Sequence, residues 1–235
     1  MRRGMLLKAI TANVWEAHDK LKMPGGVILP LRMLVVRLGS GELLIWSAVR
    51  MDSALVAEIN ALGKVAFVFA PNLFHHLFVK DALSYFPDAR LYGCPGFTEK
   101  RTDLPWAGVV SATENPWPDD FDAFALEGCP KMNEIVLLHR SSRSLFVCDL
   151  VFNIHQAENA MSTFLFKYVS QALGGLKASR LVGWLAVSDA RAYARSVQRV
   201  LDADFDRVIV AHGEVVERDA KPQMREACAS VVGVS

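Results

Sequence analysis

The sequence predicts an α/β fold, and three features of its 235 residues lead to that prediction. Residues 53–93 alternate in the order helix, strand, helix, strand, which is typical of α/β proteins. The run KVAFVFA at 64–70 is apolar throughout, as expected of a strand that is covered on both faces. Hydrophobic residues make up 52% of the chain, which excludes a disordered protein and is enough to fill a buried core.

The first elements are predicted from turn and cap residues. Residues 39–42 (GSGE) favour a hairpin between strands at 33–38 and 43–49, because glycine adopts positive φ without a steric penalty. Residues 53–63 (SALVAEINALG) are predicted to form a helix, with Ser53 as its N-cap and a glycine at its end.

The segment after the strand at 64–70 carries two adjacent histidines. Asn72 is expected to cap a helix that contains His75 and His76. PDARLYG at 87–93 then follows as a turn and a further strand.

The C-terminal half continues this mixture. The segment 94–133 is rich in Pro, Gly, Trp and Asp and is predicted to be a loop with one short strand; its Phe97, Trp106 and Trp117 either line a pocket or form a local hydrophobic plug. The remaining elements are a hairpin of 134–140 and 143–154, helices at 157–173 and 189–202, a strand at 206–213 and a last helix at 219–230. No linker divides the chain, so residues 1–235 are predicted to form one domain.

Charge and composition limit the classes of function. Lys and Arg number 26 and Asp and Glu 25, a balance that argues against a nucleic-acid partner. No apolar run of about 18 residues is present, so no membrane partner is expected. The basic start MRRGMLLK lacks a clear cleavage site and is interpreted as structure. The four cysteines lack metal-binding spacing and indicate the reduced thiols of a cytoplasmic protein.

Polar residues follow three of the predicted apolar strands. His75 and His76 come after the strand at 64–70, Asp149 ends the apolar run LFVC, and His212 ends VIVA. Burying an unpaired charge costs several kcal/mol, so such strand ends are candidates for a shared polar site.

The order of these segments resembles the metallo-β-lactamase fold superfamily from about residue 30 to residue 215. In that family an HxHxDH motif follows an apolar strand, a Gly-Asp pair follows a later hairpin, and a histidine ends a late strand. Here FVFAPNLFHHLF lies over the first segment, CDLVF at 148–152 over the second and VIVAHGEV at 208–215 over the third. The resemblance implies a four-layer αββα sandwich and a divergent member of the superfamily.

The motif itself is degenerate. Aligned without a gap, its first two histidines fall on Pro71 and Leu73, its aspartate on His75 and its last histidine on His76. The family's further histidine, before the Gly-Asp segment, has no counterpart in PKMNEIV at 130–136. Because proline and leucine side chains offer no lone pair, the resemblance implies that the first of the family's two metal positions is lost.

What the resemblance leaves is a second metal position formed by His75, His76, Asp149 and His212. Imidazoles and a carboxylate suit zinc, iron or manganese, and three or four such ligands hold one ion. A helix N-terminus at the histidine pair would favour their neutral, metal-binding form. Asp149 would either ligate the ion or act as a catalytic general base that orients water.

Each of these four residues also has a structural interpretation, as a packed or hydrogen-bonded side chain. Two hypotheses for function therefore stand side by side. One is a single-metal hydrolase of an ester, thioester or phosphoester with a small-molecule substrate. The other is a catalytically inactive scaffold without a metal that binds a small ligand or a protein partner, and the lost ligands favour it. A metal-dependent oxidoreductase is a third hypothesis, although the family's iron sites use more ligands than this chain offers.

Overall fold

The computed structural model describes residues 6–233. The first five residues, which belong to the basic start interpreted above as structure, lie outside this part. Within it the strands are β1 (Lys8–Thr11), β2 (Val14–Lys22), β3 (Ile28–Arg37), β4 (Leu43–Trp46), β5 (Val65–Ala70), β6 (Arg90–Gly93), β7 (Trp106–Val109), β8 (Phe121–Ala125), β9 (Ile135–His139), β10 (Ser144–Val147), β11 (Phe152–Ile154), β12 (Gly175–Lys177) and β13 (Arg207–Val210). The α-helices are α1 (Ser53–Leu62), α2 (Val79–Tyr85), α3 (Phe97–Lys100), α4 (Ala160–Phe164), α5 (Arg180–Ala186), α6 (Ala190–Asp202) and α7 (Ala220–Val232).

Two main sheets contain most of the strands. The larger sheet has the order β1-β2-β3-β4-β5-β6-β7, antiparallel as far as β4 and parallel from β4 onward. Helices α1 and α2 connect the parallel strands, as crossover connections require. The smaller sheet has the order β13-β10-β9-β8, and its β10 and β13 are parallel. A short pair, β11 and β12, lies beside these sheets.

The two main sheets pack face to face between two layers of helices. Side chains of the smaller sheet alternate, because successive residues of a strand point to opposite faces. Phe146 and Ile209 belong to the core shared with the larger sheet, α1 and α2. Their neighbours Leu145 and Val208 face α6 and α7 instead. The order of layers is therefore helix, sheet, sheet, helix, which is the four-layer αββα sandwich expected from the sequence.

The arginine of a buried ion pair in the larger sheet also contacts the smaller sheet. Arg32 of β3 is 2% exposed, and its Nε donates to Glu16 Oε2 of β2 at 2.8 Å. The same guanidinium donates to the carbonyl oxygen of Val210 at the end of β13. This contact holds the end of β13 against the larger sheet.

The main error of the sequence-based assignment lies between β5 and α2. A helix containing His75 and His76 was expected, but residues 72–78 form turns and α2 begins at Val79. The side chain of Asn72 accepts the backbone N–H groups of Phe74 and His75, which closes a turn instead of starting a helix. The expected effect of a helix dipole on the two histidines therefore does not apply.

Smaller corrections concern caps and loops. Asp52, and not Ser53, caps α1 by accepting from the N–H of Leu55. The segment 94–133 contains α3, β7 and β8, whereas one short strand was expected, and α5 was not expected at all. Phe97 stacks on Trp106 at 4.8 Å between ring centroids, so these two residues form a local plug. Trp117 packs edge-on against Phe67 and Phe69 and also lines a separate cavity of about 250 Å³.

None of the helices within residues 6–233 has both the length and the apolar character needed to cross a bilayer.

Candidate functional site

Three of the four residues singled out in the sequence lie together at one end of the strands. His75 Nε2 is 3.3 Å from Asp149 Oδ2, and His212 Nε2 is 3.4 Å from Asp149 Oδ1. One ligand atom from each residue lies within 4.8 Å of the other two. We call this group of three the His-Asp-His centre.

The strand register brings these residues together. In the parallel pair of β10 and β13, Val147 is opposite Val210. The chain then leaves both strands at the same edge, so Asp149 and His212 emerge next to each other. His75 comes from the turn after β5 and lies with its ring centroid 5.1 Å from that of His212.

Gly213 positions His212 through a close backbone approach. Its φ of 107° lies in the region that favours glycine, and a Cβ there would be 2.0 Å from the carbonyl oxygen of Asn153. The N–H of Asn153 donates to the carbonyl of His212 at 3.0 Å, and the N–H of Glu214 donates to the carbonyl of Asn153 at 2.8 Å. The glycine after His212 is thus required by the close approach of β11 to the segment that follows β13.

The spacing within the centre suits a metal ion better than direct hydrogen bonds. Zinc bonds of about 2.1 Å in a tetrahedron place neighbouring ligand atoms about 3.4 Å apart. Here each imidazole lies 3.3 or 3.4 Å from a different oxygen of Asp149, and a set with one ligand atom from each residue spans up to 4.8 Å, so the centre is slightly wider than a closed zinc site. A charge-assisted N–H···O bond would instead be about 2.7–2.9 Å long.

The outer contacts of both histidines leave Nε2 available as a ligand. Nδ1 of His212 lies 2.8 Å from the carbonyl oxygen of Pro30. A carbonyl oxygen only accepts, so Nδ1 carries the proton and Nε2 of the neutral ring has a free lone pair. Nδ1 of His75 lies 2.7 Å from the hydroxyl of Ser47, which can accept in the same way. Metal-binding histidines usually have such an outer hydrogen bond.

Asp149 is almost fully buried but favours its charged form. Burial alone would raise the pKa of this carboxyl group. When the two rings are protonated, the hydrogen bonds and charges of His212 and His75 outweigh burial and hold the pKa of Asp149 well below its usual range. An ion bound at the centre would take the place of these Nε2 protons, and a carboxylate with two neutral imidazoles is the donor set of a catalytic zinc-type site.

A buried network that the sequence analysis missed supports Asp149 from behind. Glu134 is fully buried and accepts the backbone N–H groups of the three residues from Cys148 to Leu150 at 2.7–3.1 Å. The side-chain amide of Asn72 donates to Asp149 Oδ2 at 2.6 Å and to Glu134 Oε2 at 3.3 Å. Burial and the charge of Asp149 raise the pKa of Glu134 to about 7.

The residues of this network lie in the two segments where the metallo-β-lactamase metal ligands have no counterpart in this chain. Asn72 lies between Pro71 and Leu73, and Glu134 lies in the segment 130–136 that has no histidine. The signal in the sequence was the charge of Glu134 at the start of an otherwise apolar strand. Asn72 was expected to cap a helix, but its side-chain oxygen closes a turn, and its amide nitrogen donates to the two carboxylates.

His76, the fourth predicted ligand, is not part of the centre. Its Nδ1 lies 2.8 Å from the guanidinium of Arg101, and its ring is edge-on to Phe97. Because a guanidinium only donates, Nδ1 accepts and carries no proton. Burial and the nearby charges of Lys100 and Arg101 lower the pKa of His76 to about 4. The turn directs the two adjacent rings to different partners, so the expected set of four is reduced to three.

The centre lies in a cleft of about 390 Å³. One wall comes from the hairpin of β2 and β3, and the other from the turns that follow β4 and β5. Apart from the three residues of the centre, Ser47, His76 and Lys100, the lining is apolar. The cleft has the size and character of a small-molecule site.

Comparison with known protein families gives one assignment. Residues 12–174 match the family model described as "Domain of unknown function (DUF4336)". No protein of curated function matches the sequence significantly.

Comparison with solved structures gives the fold. The crystal structure of DIM-1 metallo-β-lactamase superimposes with a TM-score of 0.70 at 13% identity, covering 99% of both chains. A metallo-β-lactamase from Pontibacter korlensis has a TM-score of 0.66 at 14% identity, covering 98% of this chain and 100% of the other. The FIM-1 metallo-β-lactamase from Pseudomonas aeruginosa, in its mono-zinc form, has a TM-score of 0.66 at 14% identity and covers 98% and 97%. At such identities the likeness shows the fold alone.

Proposed function

This chain belongs to the DUF4336 family and is a divergent protein of the metallo-β-lactamase fold, and on that premise we propose that it is a single-metal hydrolase. Its substrate would be an ester, a thioester or a phosphoester. His75, Asp149 and His212 would hold the ion. The observation that carries the proposal is the geometry of the His-Asp-His centre, in which one ligand atom from each residue lies within 4.8 Å of the other two.

The chain's own residues would prepare the site for hydrolysis. Pro30 and Ser47 hold the two imidazoles with Nε2 toward Asp149. Asn72 supplies an N–H that keeps the Asp149 carboxylate oriented and charged. The Lewis-acid chemistry near neutral pH would come from a divalent ion held by the His-Asp-His centre.

A single ion is proposed because the other family position has no ligands here. Proline and leucine replace the first two histidines of the motif. The amide of Asn72 instead hydrogen-bonds to both carboxylates of the buried network. An amide N–H donates and offers no lone pair, so this arrangement favours one ion per chain.

The proposal is tested by measuring the metal content of the wild type and the metal affinity of one near-isosteric variant. Protein purified without chelator should contain or take up one divalent ion per chain, measured by elemental analysis and by zinc titration. Asp149→Asn should weaken binding by more than about 100-fold, the upper limit for loss of an outer contact. Asp88→Asn makes the same chemical change on an exposed carboxylate and should leave binding unaltered. A wild-type protein that takes up no zinc at micromolar concentration would end the metalloenzyme proposal.

The buried network also favours the second candidate function, an inactive scaffold that binds a small ligand or a protein partner. Asn72 and Glu134 satisfy Asp149 and the backbone around it without any ion. If the protein is an inactive scaffold, Asp149→Asn should change the free energy of unfolding, and neither the wild type nor the variant should turn over any substrate. A folded Asp149→Asn variant that lacks an activity present in the wild type would exclude it.

A further inference from the structure

We propose that the cleft binds an uncharged, apolar acyl group, so that the substrates are esters or thioesters of such acids and not phosphoesters. This inference rests on the proposed function and narrows its substrate class. In the reaction, the bond from the acyl carbon to oxygen or sulfur breaks and the oxygen of water bonds to that carbon. The leaving alcohol or thiol takes a proton from water, and the other product is the carboxylic acid.

The first argument is the wall contributed by the hairpin of β2 and β3. Leu21 and Met23 come from the first arm and its turn, and Leu29 and Leu31 from the second. Met23 is 37% exposed although it is a large apolar side chain. These side chains present no donor or acceptor to a ligand, so this wall recognises shape and apolar surface alone.

The opposite wall has the same character. Phe74, Leu77 and Phe78 follow β5 in the turn that also carries His75. Phe74 is 44% exposed and Leu77 is 57% exposed. Large apolar residues that face each other across a cleft, and that remain exposed in the free protein, mark a surface that a ligand covers.

The third argument is the small number of positive charges in the cleft. Among residues 6–233, Lys100 is the one cationic side chain that lines the cleft. Its ammonium group donates to the carbonyl oxygen of Leu73 at 2.6 Å and lies 5.9 Å from the ring centroid of Phe74. Phosphate recognition normally uses arginine or lysine side chains that are free to form charge-assisted bonds. On these walls a phosphoester would find one lysine, whose ammonium group is already partly engaged, and not the cluster of cationic groups that phosphate recognition favours.

The position of the centre then defines which bond is cleaved. His75, Asp149 and His212 line the same cleft as the apolar walls. An apolar chain that fills the space between the walls therefore brings the polar group at its end to the centre. An acyl ester or thioester has this shape, with a carbonyl carbon at the end of an apolar chain.

The first experiment measures binding without turnover. Methyl ketones from 2-butanone to 2-octanone present a carbonyl and an alkyl chain but no leaving group, and their binding to the chelator-treated, metal-free protein is measured by calorimetry or NMR titration. We expect the affinity to rise about fourfold for each added methylene until the cleft is full. An affinity that does not change with chain length would overturn the inference.

The second experiment uses one variant on the wall and a matched control. Leu77→Asp places a charge at the cleft mouth and should lower the affinity for 2-octanone at least tenfold. Leu185→Asp makes the same change on α5, outside the cleft, at a residue of similar exposure, 49%, and should have no effect. Leu77→Ala provides a second, milder test that should reduce the affinity by a smaller factor. Equal effects of Leu77→Asp and Leu185→Asp would contradict the proposed site.

Turnover assays on the zinc-loaded protein separate this inference from the proposed function. We expect kcat/KM for 4-nitrophenyl esters and N-acetylcysteamine thioesters to rise from acetyl to octanoyl, and bis(4-nitrophenyl) phosphate to remain uncleaved. Faster cleavage of the phosphodiester would refute the substrate class while keeping the hydrolase. Chain-length-dependent ketone binding without turnover of any ester would refute the hydrolase and keep an apolar ligand for this cleft.

Discussion

Replacement of Gly213 by alanine tests how the fold positions His212. The added Cβ would lie 2.0 Å from the carbonyl oxygen of Asn153 and 2.9 Å from the N–H nitrogen of Ile154. Both contacts are with backbone that is held by hydrogen bonds and cannot rotate away, as a side chain could. The backbone at residue 213 or residue 153 must therefore move.

The size of the effect follows from two contributions. Alanine at positive φ costs about 1–2 kcal/mol. Forcing an extra methyl group into a packed region adds about 1–3 kcal/mol. We expect Gly213→Ala to lower the free energy of unfolding by about 2–5 kcal/mol and the Tm by several degrees, since each kcal/mol shifts Tm by about 2–4 °C in a domain of this size.

Gly175 provides a control that isolates the steric contribution. Its φ is 119°, close to the 107° of Gly213, but nothing lies within 4 Å of the position of its Cβ. Gly175→Ala should therefore cost only the conformational part, about 1–2 kcal/mol. Urea denaturation followed by circular dichroism gives the two free energies, and a chelator competition assay gives the zinc affinity of each folded variant. Equal destabilisation by both substitutions, with full zinc affinity in Gly213→Ala, would refute the account of how His212 is placed.

Three further predictions concern contacts around the centre and between the sheets. Ser47→Ala should weaken zinc binding about 10- to 100-fold without changing the stoichiometry, whereas the exposed Ser84→Ala should not; equal affinities in a competition titration would contradict the role of Ser47. His76→Ala should still bind one ion with unaltered affinity, and a loss in the same titration would make His76 a ligand after all. Burial raises the pKa of Glu16, but His18 and Arg32 outweigh it and lower the pKa from 4.5 to about 2. The ionised Glu16 should therefore contribute about 3 kcal/mol to the free energy of unfolding above pH 4.5. This contribution should be lost as the pH falls toward 2. Urea unfolding between pH 4.5 and 2 should show that the difference in unfolding free energy between the wild type and Glu16→Gln becomes smaller. A difference that stays constant with pH would contradict the lowered pKa of Glu16.

Local patterns in the sequence were sufficient for the fold class. The apolar run of β5 and the alternation of helix and strand over 53–93 predicted an α/β protein, and the structure agrees. The order of polar residues at strand ends indicated the metallo-β-lactamase fold, which the solved structures confirm. Such features depend on neighbours in the chain, because periodicity and turn chemistry act over a few residues.

Local sequence patterns could not predict which residues form the His-Asp-His centre. His75 and His76 look equivalent in the sequence, yet one faces Asp149 and the other faces Arg101, 25 residues further on. The charge of Glu134 stands out beside an apolar strand, but its partners, the backbone N–H groups around Asp149, could not be predicted for the same reason. Hydrogen bonds between residues far apart in the chain form only when the two sheets pack.

The sequence by itself therefore determined the fold class, the main strands and the polar residues that follow three of them. Only the tertiary structure decided which three of these residues share a centre, which network supports Asp149, and that the walls of the cleft are apolar. The physical reason is the range of the interactions. Strands and turns follow from steric preferences of adjacent residues, whereas a site is formed by side chains that long-range packing brings within a few ångströms of each other.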